Sequence, residues 1–250
     1  MADDDYLDAV DYTRDDLDVE DLGEVKHAVR LVDVYRSYTI GKTEIGAING
    51  VNLTVDAGDF IVISGKSGSG KTTLLNIIGA IDLASSGRVF VMDVPINDYD
   101  ESFRASFRLN NTGFIFQSYN LVSTLTAIEN VMFPMQLSPK SKFQLREDAV
   151  KLLESVELEH RADHLPWQLS SGEQQRVAIA RAMANDPPII LADEPTANLD
   201  GDSGQMIREL LVDLNKQGKV VIVMTHDEGL INQPTAQHYK MDLGELTRHD

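Results

Sequence analysis

The fold of this chain is decided by the stretch Gly65-Lys66-Ser67-Gly68-Ser69-Gly70-Lys71-Thr72. It matches the pattern G-x-x-x-x-G-K-[ST] of a phosphate-binding loop. An apolar run over residues 60–64 precedes it and another over residues 73–79 follows it, which gives the order strand, glycine loop, helix. Glycine lets backbone N–H groups face a phosphate, and the start of the helix adds partial positive charge. The stretch therefore predicts a nucleoside triphosphate site.

Two side chains of this loop have separate predicted tasks. Lys71 is expected to reach the β- and γ-phosphates, and the Thr72 hydroxyl is expected to ligate Mg²⁺. The predicted nucleotide-binding residues of the loop are Gly65, Lys66, Ser67, Gly68, Ser69, Gly70, Lys71, Thr72 and Thr73.

The composition narrows the classes of protein to which the chain can belong. The absence of cysteine excludes disulfides, thiol catalysis and cysteine-ligated zinc. The sequence has no run of about 18 apolar residues, so we expect no membrane-spanning helix. Its start lacks the basic and apolar regions of a signal peptide, which predicts a cytoplasmic location. The net charge of −18 opposes binding to phosphate backbones, so we expect no nucleic-acid partner.

Residues 1–25 are predicted to form an acidic, disordered tail ahead of one folded domain over residues 26–250. The first 24 residues contain eleven acidic side chains and a single basic one, Arg14. A segment with so few aliphatic residues cannot bury enough apolar surface to fold. A short amphipathic segment that docks on a basic partner remains an alternative to a solvated tail.

Hydrophobic patterning after the tail predicts alternating strands and helices. The predicted strands cover residues 28–34, 45–55, 60–64, 88–92, 112–116, 189–192, 219–224, 237–241 and 245–247, and the predicted helices cover residues 73–81, 100–109, 125–136, 142–156, 172–184 and 202–216. Most of the strands are continuous apolar runs, which is typical of a mainly parallel sheet covered on both faces. Residues 118–170 show no convincing strand, which predicts a helical subdomain inserted into an α/β domain.

Four polar landmarks follow separate predicted strands: Gly65, Gln117, Asp193 and His226. In parallel sheets, ligands bind at the carboxyl ends of the strands. Asp193 and Glu194 end an apolar run in the manner of a Walker B strand, so Asp193 is expected to hold Mg²⁺. Glu194 points toward the γ-phosphate side and is placed to polarise the attacking water.

The chain resembles ABC-type ATPases over about residues 28–247. Residues 169–182 read Leu-Ser-Ser-Gly-Glu-Gln-Gln-Arg-Val-Ala-Ile-Ala-Arg-Ala, which is similar to the signature motif of that family. Further landmarks occur in the family's order: Gln117 resembles the Q-loop glutamine, and Asp200, in Asn198-Leu199-Asp200, resembles the D-loop aspartate. His226 resembles the switch histidine. Tyr38 resembles the aromatic residue that stacks on adenine, with Tyr35 as its rival.

The resemblance implies a P-loop NTPase fold with a mainly parallel central sheet, an N-terminal antiparallel β part and a helical subdomain. It also implies that two copies pack head to tail around two ATP molecules. In that arrangement the signature segment binds the nucleotide held by the other copy. The residues expected to do so are Ser170, Ser171, Gly172 and Glu173. A serine hydroxyl, a glycine N–H and a following helix N-terminus make a second anion site physically reasonable.

The remaining roles also follow from the resemblance. Glu194 is the expected general base, and His226 is expected to contact the γ-phosphate. Asp200 is expected to contact the facing subunit. The expected Mg²⁺ ligands are Thr72, Gln117 and Asp193, and the expected catalytic residues are Glu194, His226, Gln117 and Lys71.

The sequence departs from the family pattern at three positions. Ser171 replaces the first glycine of the signature pair, which predicts retained but slower hydrolysis, and Glu173 replaces a glutamine. Pro234 occurs where the family has a helix, so we expect that helix to be short.

The expected partner is a separate transmembrane permease chain, which would place the protein at the cytoplasmic face of the membrane. Residues 111–131 resemble the subgroup of lipoprotein-releasing, macrolide-export and cell-division ATPases. A regulatory subunit that moves no solute remains an alternative. A soluble ATPase of DNA repair or translation fits the chain length and charge less well. A GTPase is disfavoured because Asn215-Lys-Gln-Gly218 lacks the aspartate of the guanine-recognition motif.

Overall fold

The computed structural model describes residues 26–41, 43–137 and 140–249. The predicted acidic tail, residues 1–25, lies outside these residues. The strands are β1 (Val29–Ile40), β2 (Thr43–Val55), β3 (Phe60–Ser64), β4 (Ser86–Val91), β5 (Val94–Pro95), β6 (Thr112–Ile115), β7 (Ile189–Asp193), β8 (Val220–Met224), β9 (Ala236–Asp242) and β10 (Glu245–Arg248). The α-helices are α1 (Lys71–Ile78), α2 (Glu101–Asn111), α3 (Ala127–Met132), α4 (Lys142–Ser155), α5 (Ser171–Ala182), α6 (Gly201–Lys216) and α7 (Glu228–Ile231).

The N-terminal strands form an antiparallel sheet in the order β2-β1-β4-β5. In β1 the predicted strand, residues 28–34, continues to Ile40. Register shifts against β2 occur between Leu31 and Val34 and again around Arg36, and Asp33 has a φ of 50°. Such bulges interrupt the alternation of side chains, and this explains why the pattern did not predict the second half of the strand.

The larger sheet has the order β10-β9-β3-β8-β7-β6, and its neighbours are parallel from β9 to β6. Only the pairing of β10 with β9 is antiparallel among the described strands of this sheet. The predicted combination of a mainly parallel sheet with an antiparallel N-terminal part is confirmed. The short β5 was not predicted, because two residues carry no periodic signal.

Both faces of the parallel sheet are buried, and alternate side chains enter two different cores. In β3, Ile61 and Ile63 pack toward the antiparallel sheet and α1, whereas Phe60 and Val62 pack toward the helices on the opposite face. The same alternation runs through β7 and β8. This arrangement explains why these strands read as continuous apolar runs.

The described part of residues 118–170 contains helices and turns and no strand. The helix predicted over residues 125–136 is shorter than expected: α3 begins after Thr126, which closes a capping box with Glu129, and gives way to a 3-10 segment over Phe133–Leu137. Pro134 lacks the N–H that would continue the α-helix. Helix α7 has four residues, in agreement with the short helix predicted before Pro234.

Candidate active site

The four polar landmarks lie along one edge of the parallel sheet. Strands β3, β8, β7 and β6 are consecutive neighbours and parallel, so their carboxyl ends share that edge. Gly65 follows β3, His226 lies two residues after β8, Asp193 ends β7, and Gln117 follows β6. The predicted gathering of these residues is therefore a property of the fold.

The glycine loop runs directly into α1, whose N-cap is Gly70 with a φ of 107°. A Cβ at Gly70 would lie 2.4 Å from the carbonyl oxygen of Ala47, so the position requires glycine for two reasons. Lys71 is 8% exposed, and its Nζ donates to the carbonyl oxygens of Gly65, at 2.7 Å, and Lys66, at 3.3 Å. The ammonium group therefore lies inside the curve of the loop.

Thr72 and Asp193 meet across the edge of the sheet, where the Thr72 hydroxyl donates to Asp193 Oδ2 at 2.7 Å. Burial raises the pKa of the Asp193 carboxyl; the Thr72 hydrogen bond and Lys71 oppose this, and Glu194 adds to it. A hydroxyl and a carboxylate are the hard oxygen donors that Mg²⁺ prefers, and a cation would offset the cost of the buried charge. The donor set therefore fits Mg²⁺.

Glu194 contacts two of the other landmarks. Its Oε1 lies 3.7 Å from Lys71 Nζ, and its Oε2 lies 2.8 Å from His226 Nδ1. The backbone N–H of His226 also donates to Oε2, at 3.3 Å. Glu194 has a φ of 47°, which is uncommon for a residue other than glycine, and its N–H donates to the carbonyl oxygen of Met224 at 2.8 Å. The carboxylate is thus held between the glycine loop and the end of β8.

Gln117 is exposed where the chain leaves β6. The loop that follows is held by a helix from elsewhere in the chain, because Arg181 of α5 donates to the carbonyl oxygens of Tyr119, at 2.7 Å, and Asn120. The structure thus places Gln117 on the shared edge and links its loop to the helix of the signature motif.

The side chain of Tyr38 is held by Asp82, which lies four residues after the end of α1. Its hydroxyl donates to Asp82 Oδ2 at 2.6 Å, and Arg36 donates to both Asp82 oxygens. The Arg36 guanidinium also lies 4.6 Å from the centre of the Tyr38 ring. The sequence did not predict that Asp82 holds Tyr38, because the two residues are 44 positions apart and no motif connects them.

The signature segment begins α5 with a capping box. The Ser170 side chain accepts from the Glu173 N–H, and the Glu173 carboxylate accepts from the Ser170 N–H at 2.8 Å. Burial raises the pKa of Glu173, but the Ser170 hydrogen bonds and the charge of Arg161 lower it on balance. Ser170 retains its O–H as a donor. A Cβ at Gly172 would lie 2.7 Å from Ser203 Oγ, so this glycine lets α5 approach α6 closely.

Asp200 is the N-cap of α6. It accepts from the Ser203 N–H at 2.8 Å and from the Ser203 hydroxyl at 3.1 Å, and the Ser203 hydrogen bonds lower its pKa. The Ser203 hydroxyl also lies next to Gly172, so Asp200 is close to the start of α5.

The family model for ABC transporters matches residues 48–197. This chain belongs to the ABC transporter family. The ABC ATPase is 46% identical over 227 residues to the uncharacterized ABC transporter ATP-binding protein MJ0796 of Methanocaldococcus jannaschii, a match that covers 89% of this chain and 96% of that protein. It is 40% identical over 206 residues to the lipoprotein-releasing system ATP-binding protein LolD of Idiomarina loihiensis, over 82% of this chain and 90% of that one.

A solved structure extends the comparison. The dimeric MJ0796 cassette, in a post-hydrolysis state with ADP and Pi, matches this ABC ATPase with a TM-score of 0.82 and 42% identity, over 89% of this chain and 97% of that one. The protein is thus an ATP-binding subunit of an ABC transporter and an ATPase. No described helix is long and apolar enough to cross a membrane.

Proposed function

We propose that this ABC ATPase hydrolyses ATP as a head-to-tail dimer of two copies and that it powers a separate membrane-spanning chain from the cytoplasmic face. The observation that carries the proposal is the contact of Glu194 with both Lys71 and His226 at the carboxyl edge of the sheet. A carboxylate, an ammonium group and an imidazole at one place supply a proton acceptor and two groups that stabilise a transferring phosphoryl group.

Each residue of the edge then has a role in hydrolysis. The glycine loop and Lys71 bind the β- and γ-phosphates. Glu194 takes the proton of the attacking water while the water oxygen bonds to the γ-phosphorus and ADP leaves. His226 steadies the γ-phosphate and holds Oε2 of Glu194. Mg²⁺ would be held by Thr72, Asp193 and Gln117, where it supplies charge neutralisation of the phosphates.

The second copy completes the site. Ser170 is the N-cap of a helix of twelve residues, and Ser171, Gly172 and Glu173 are its first three residues. The Ser170 O–H and the backbone N–H of Gly172 are the donors that we assign to the γ-phosphate held by the other copy. Asp200 lies beside this end of α5 and is placed at the contact between copies. The dimeric state of the MJ0796 cassette supports this assembly.

We assign the contact with the membrane-spanning partner to an exposed apolar part of the surface. Phe133, Leu137 and Phe143 are all strongly exposed, and Leu137 is 81% exposed. Single exposed apolar residues are common, but three large ones within eleven positions of the sequence favour a protein contact at this part of the surface. The LolD name of one relative supports a transport system as the assembly.

The proposal is tested with Glu194→Gln, which keeps the shape of the side chain but removes its basicity. ATP turnover should fall by about 100-fold or more, whereas ATP binding and ATP-dependent dimerisation persist in analytical ultracentrifugation. Glu154→Gln, an exposed residue of α4, is the matched control and should retain turnover. Wild-type turnover in Glu194→Gln would contradict the role of Glu194.

The membrane contact is tested separately. Leu137→Asp and Phe143→Asp should reduce binding of the protein to the membrane fraction of its own cells. Leu243→Asp, which changes an equally exposed residue on the turn between β9 and β10, should not. Equal binding by all three variants would contradict this surface.

A further inference from the structure

Gln175 joins the signature helix to the loop that follows Glu194. It lies on α5, three residues after Gly172, and is 1% exposed. Its Nε2 donates to the carbonyl oxygen of Pro195 at 2.8 Å. A carbonyl oxygen only accepts hydrogen bonds, so the amide nitrogen must face Pro195. The bond therefore ends one residue beyond the proposed general base.

Packing alone does not account for this side chain. Its Oε1 is buried and has no hydrogen-bond partner among the described residues, and a buried acceptor without a partner destabilises a fold. The following residues of α5, Val177, Ala178 and Ile179, are buried and apolar. A methionine would fill similar volume without an amide oxygen. The function of Gln175 therefore lies in the bond that it donates.

The unusual backbone conformation of Glu194 depends on hydrogen bonds from neighbouring segments. A φ of 47° in a residue with a Cβ persists where neighbouring contacts fix it. The Glu194 N–H is bonded to the Met224 carbonyl oxygen at 2.8 Å, and the Glu194 carbonyl oxygen accepts from the Ala197 N–H at 3.1 Å. Gln175 holds the next carbonyl group along the chain. The peptide that carries the carboxylate is thus fixed on both sides.

We propose that Gln175 is a positioning residue that aims Glu194 through the carbonyl group of Pro195. The inference rests on the proposed role of Glu194. Because Gln175 lies one turn from Gly172, the same helix that meets the partner's nucleotide also orients the base of its own copy. Release of the Pro195 carbonyl shifts the Glu194 carboxylate, and a shift of about 1 Å in a reacting group costs about 100-fold in rate.

Gln175→Met tests the bond, since methionine has a similar length and no donor. The value of kcat should fall by about ten- to 100-fold while KM and the Kd for ATP stay within about twofold of wild type. Gln175→Asn retains an amide that is one methylene too short, and it should show the same split if Gln175→Met does not fold. Asn185→Leu is the control: it removes the Nδ2 bonds to Leu109 and Pro134 just beyond α5 and should leave kcat within about twofold.

A double-mutant cycle separates positioning from a structural role. In the Glu194→Gln background, Gln175→Met should cause no further loss of turnover, because the group that it aims is gone. An equal loss in both backgrounds, or a wild-type kcat in Gln175→Met, would overturn the inference. Failure of the proposed function is distinguishable, since it appears as wild-type turnover in Glu194→Gln alone.

Discussion

His226 Nδ1 lies 2.8 Å from Glu194 Oε2, although the His226 side chain is 75% exposed and the Glu194 side chain is 14% exposed. An exposed imidazole is thus held in place by a carboxylate that is nearly enclosed. The contact joins the ends of β7 and β8, and it uses only one of the two imidazole nitrogens.

His226→Ala should lower kcat by about 100-fold, because the proposed contact with the γ-phosphate is lost and Glu194 Oε2 loses its contact with the imidazole. Single-turnover hydrolysis measures the effect, and ATP binding should change by less than about threefold. His160→Ala, which truncates an exposed histidine elsewhere, should leave the rate unchanged. Loss of binding in place of turnover would count against this role.

Asp193→Asn should raise the melting temperature of the ligand-free protein at neutral pH. Burial raises the pKa of Asp193 in the folded state, so the folded chain carries an unfavourable charge at pH values above that pKa. As the pH falls through the raised pKa, the folded state takes up the proton first and wild type gains stability. The difference between the two proteins should therefore shrink toward acidic pH.

Differential scanning fluorimetry across this pH range measures the effect. The same variant should lose most of the stabilisation that Mg²⁺ and ATP give to wild type, because the proposed metal ligand is gone. Asp163→Asn, which changes a carboxylate that is 81% exposed, should show neither effect. A lower melting temperature for Asp193→Asn at neutral pH would contradict the prediction.

Tyr38→Ala should weaken ATP binding by about tenfold, since a stacked aromatic ring contributes about 0.5–1.5 kcal/mol beyond its buried area. Tyr38→Phe keeps the ring but loses the bond to Asp82, so it should weaken binding by about two- to threefold. Neither change should alter kcat at saturating ATP. Fluorescent-nucleotide titration measures the affinity, and a larger effect in Tyr35→Ala would assign the stacking to Tyr35.

Trp167 should report dimerisation by its fluorescence. It is the only tryptophan in the sequence, it is 75% exposed, and it lies two residues before the signature segment. In Glu194→Gln, added ATP should shift its emission as the facing copy covers it. The shift should depend on protein concentration, and an unchanged spectrum in a sample that dimerises by ultracentrifugation would place Trp167 outside the contact.

Local patterns predicted most of the architecture. The glycine loop, the apolar run before Asp193 and the strand before His226 are each readable within about ten residues, because strand ends and glycine turns are local features. The mainly parallel character of the sheet then follows from the alternation of strands and helices, but the order β3, β8, β7, β6 was not predicted. The ends of β1 and α3 differ from the predicted ones. The bulges in β1 and the proline at position 134 change the period of the hydrophobic pattern without ending it.

Contacts between segments that are distant in the sequence could not be predicted from local patterns. Asp82 accepts a hydrogen bond from a residue 44 positions away, and Gln175 donates one to a residue 20 positions away. Nothing in the neighbouring residues distinguishes Gln175 from Gln174, which bonds within its own helix region to the Leu169 carbonyl oxygen. The two glutamines are distinguished only by the tertiary structure, which brings the loop after β7 to Gln175.

The position of the signature segment has a consequence for cells that carry two versions of this gene. Ser170 is the N-cap of α5 and Gly172 lies in its first turn, whereas the glycine loop leads into α1. In the proposed head-to-tail dimer, each nucleotide site therefore draws on both copies. If a Glu194→Gln chain and the wild-type chain are made in equal amounts and pair at random, about one quarter of the dimers contain two intact copies. The variant should therefore behave as a dominant allele rather than a silent one.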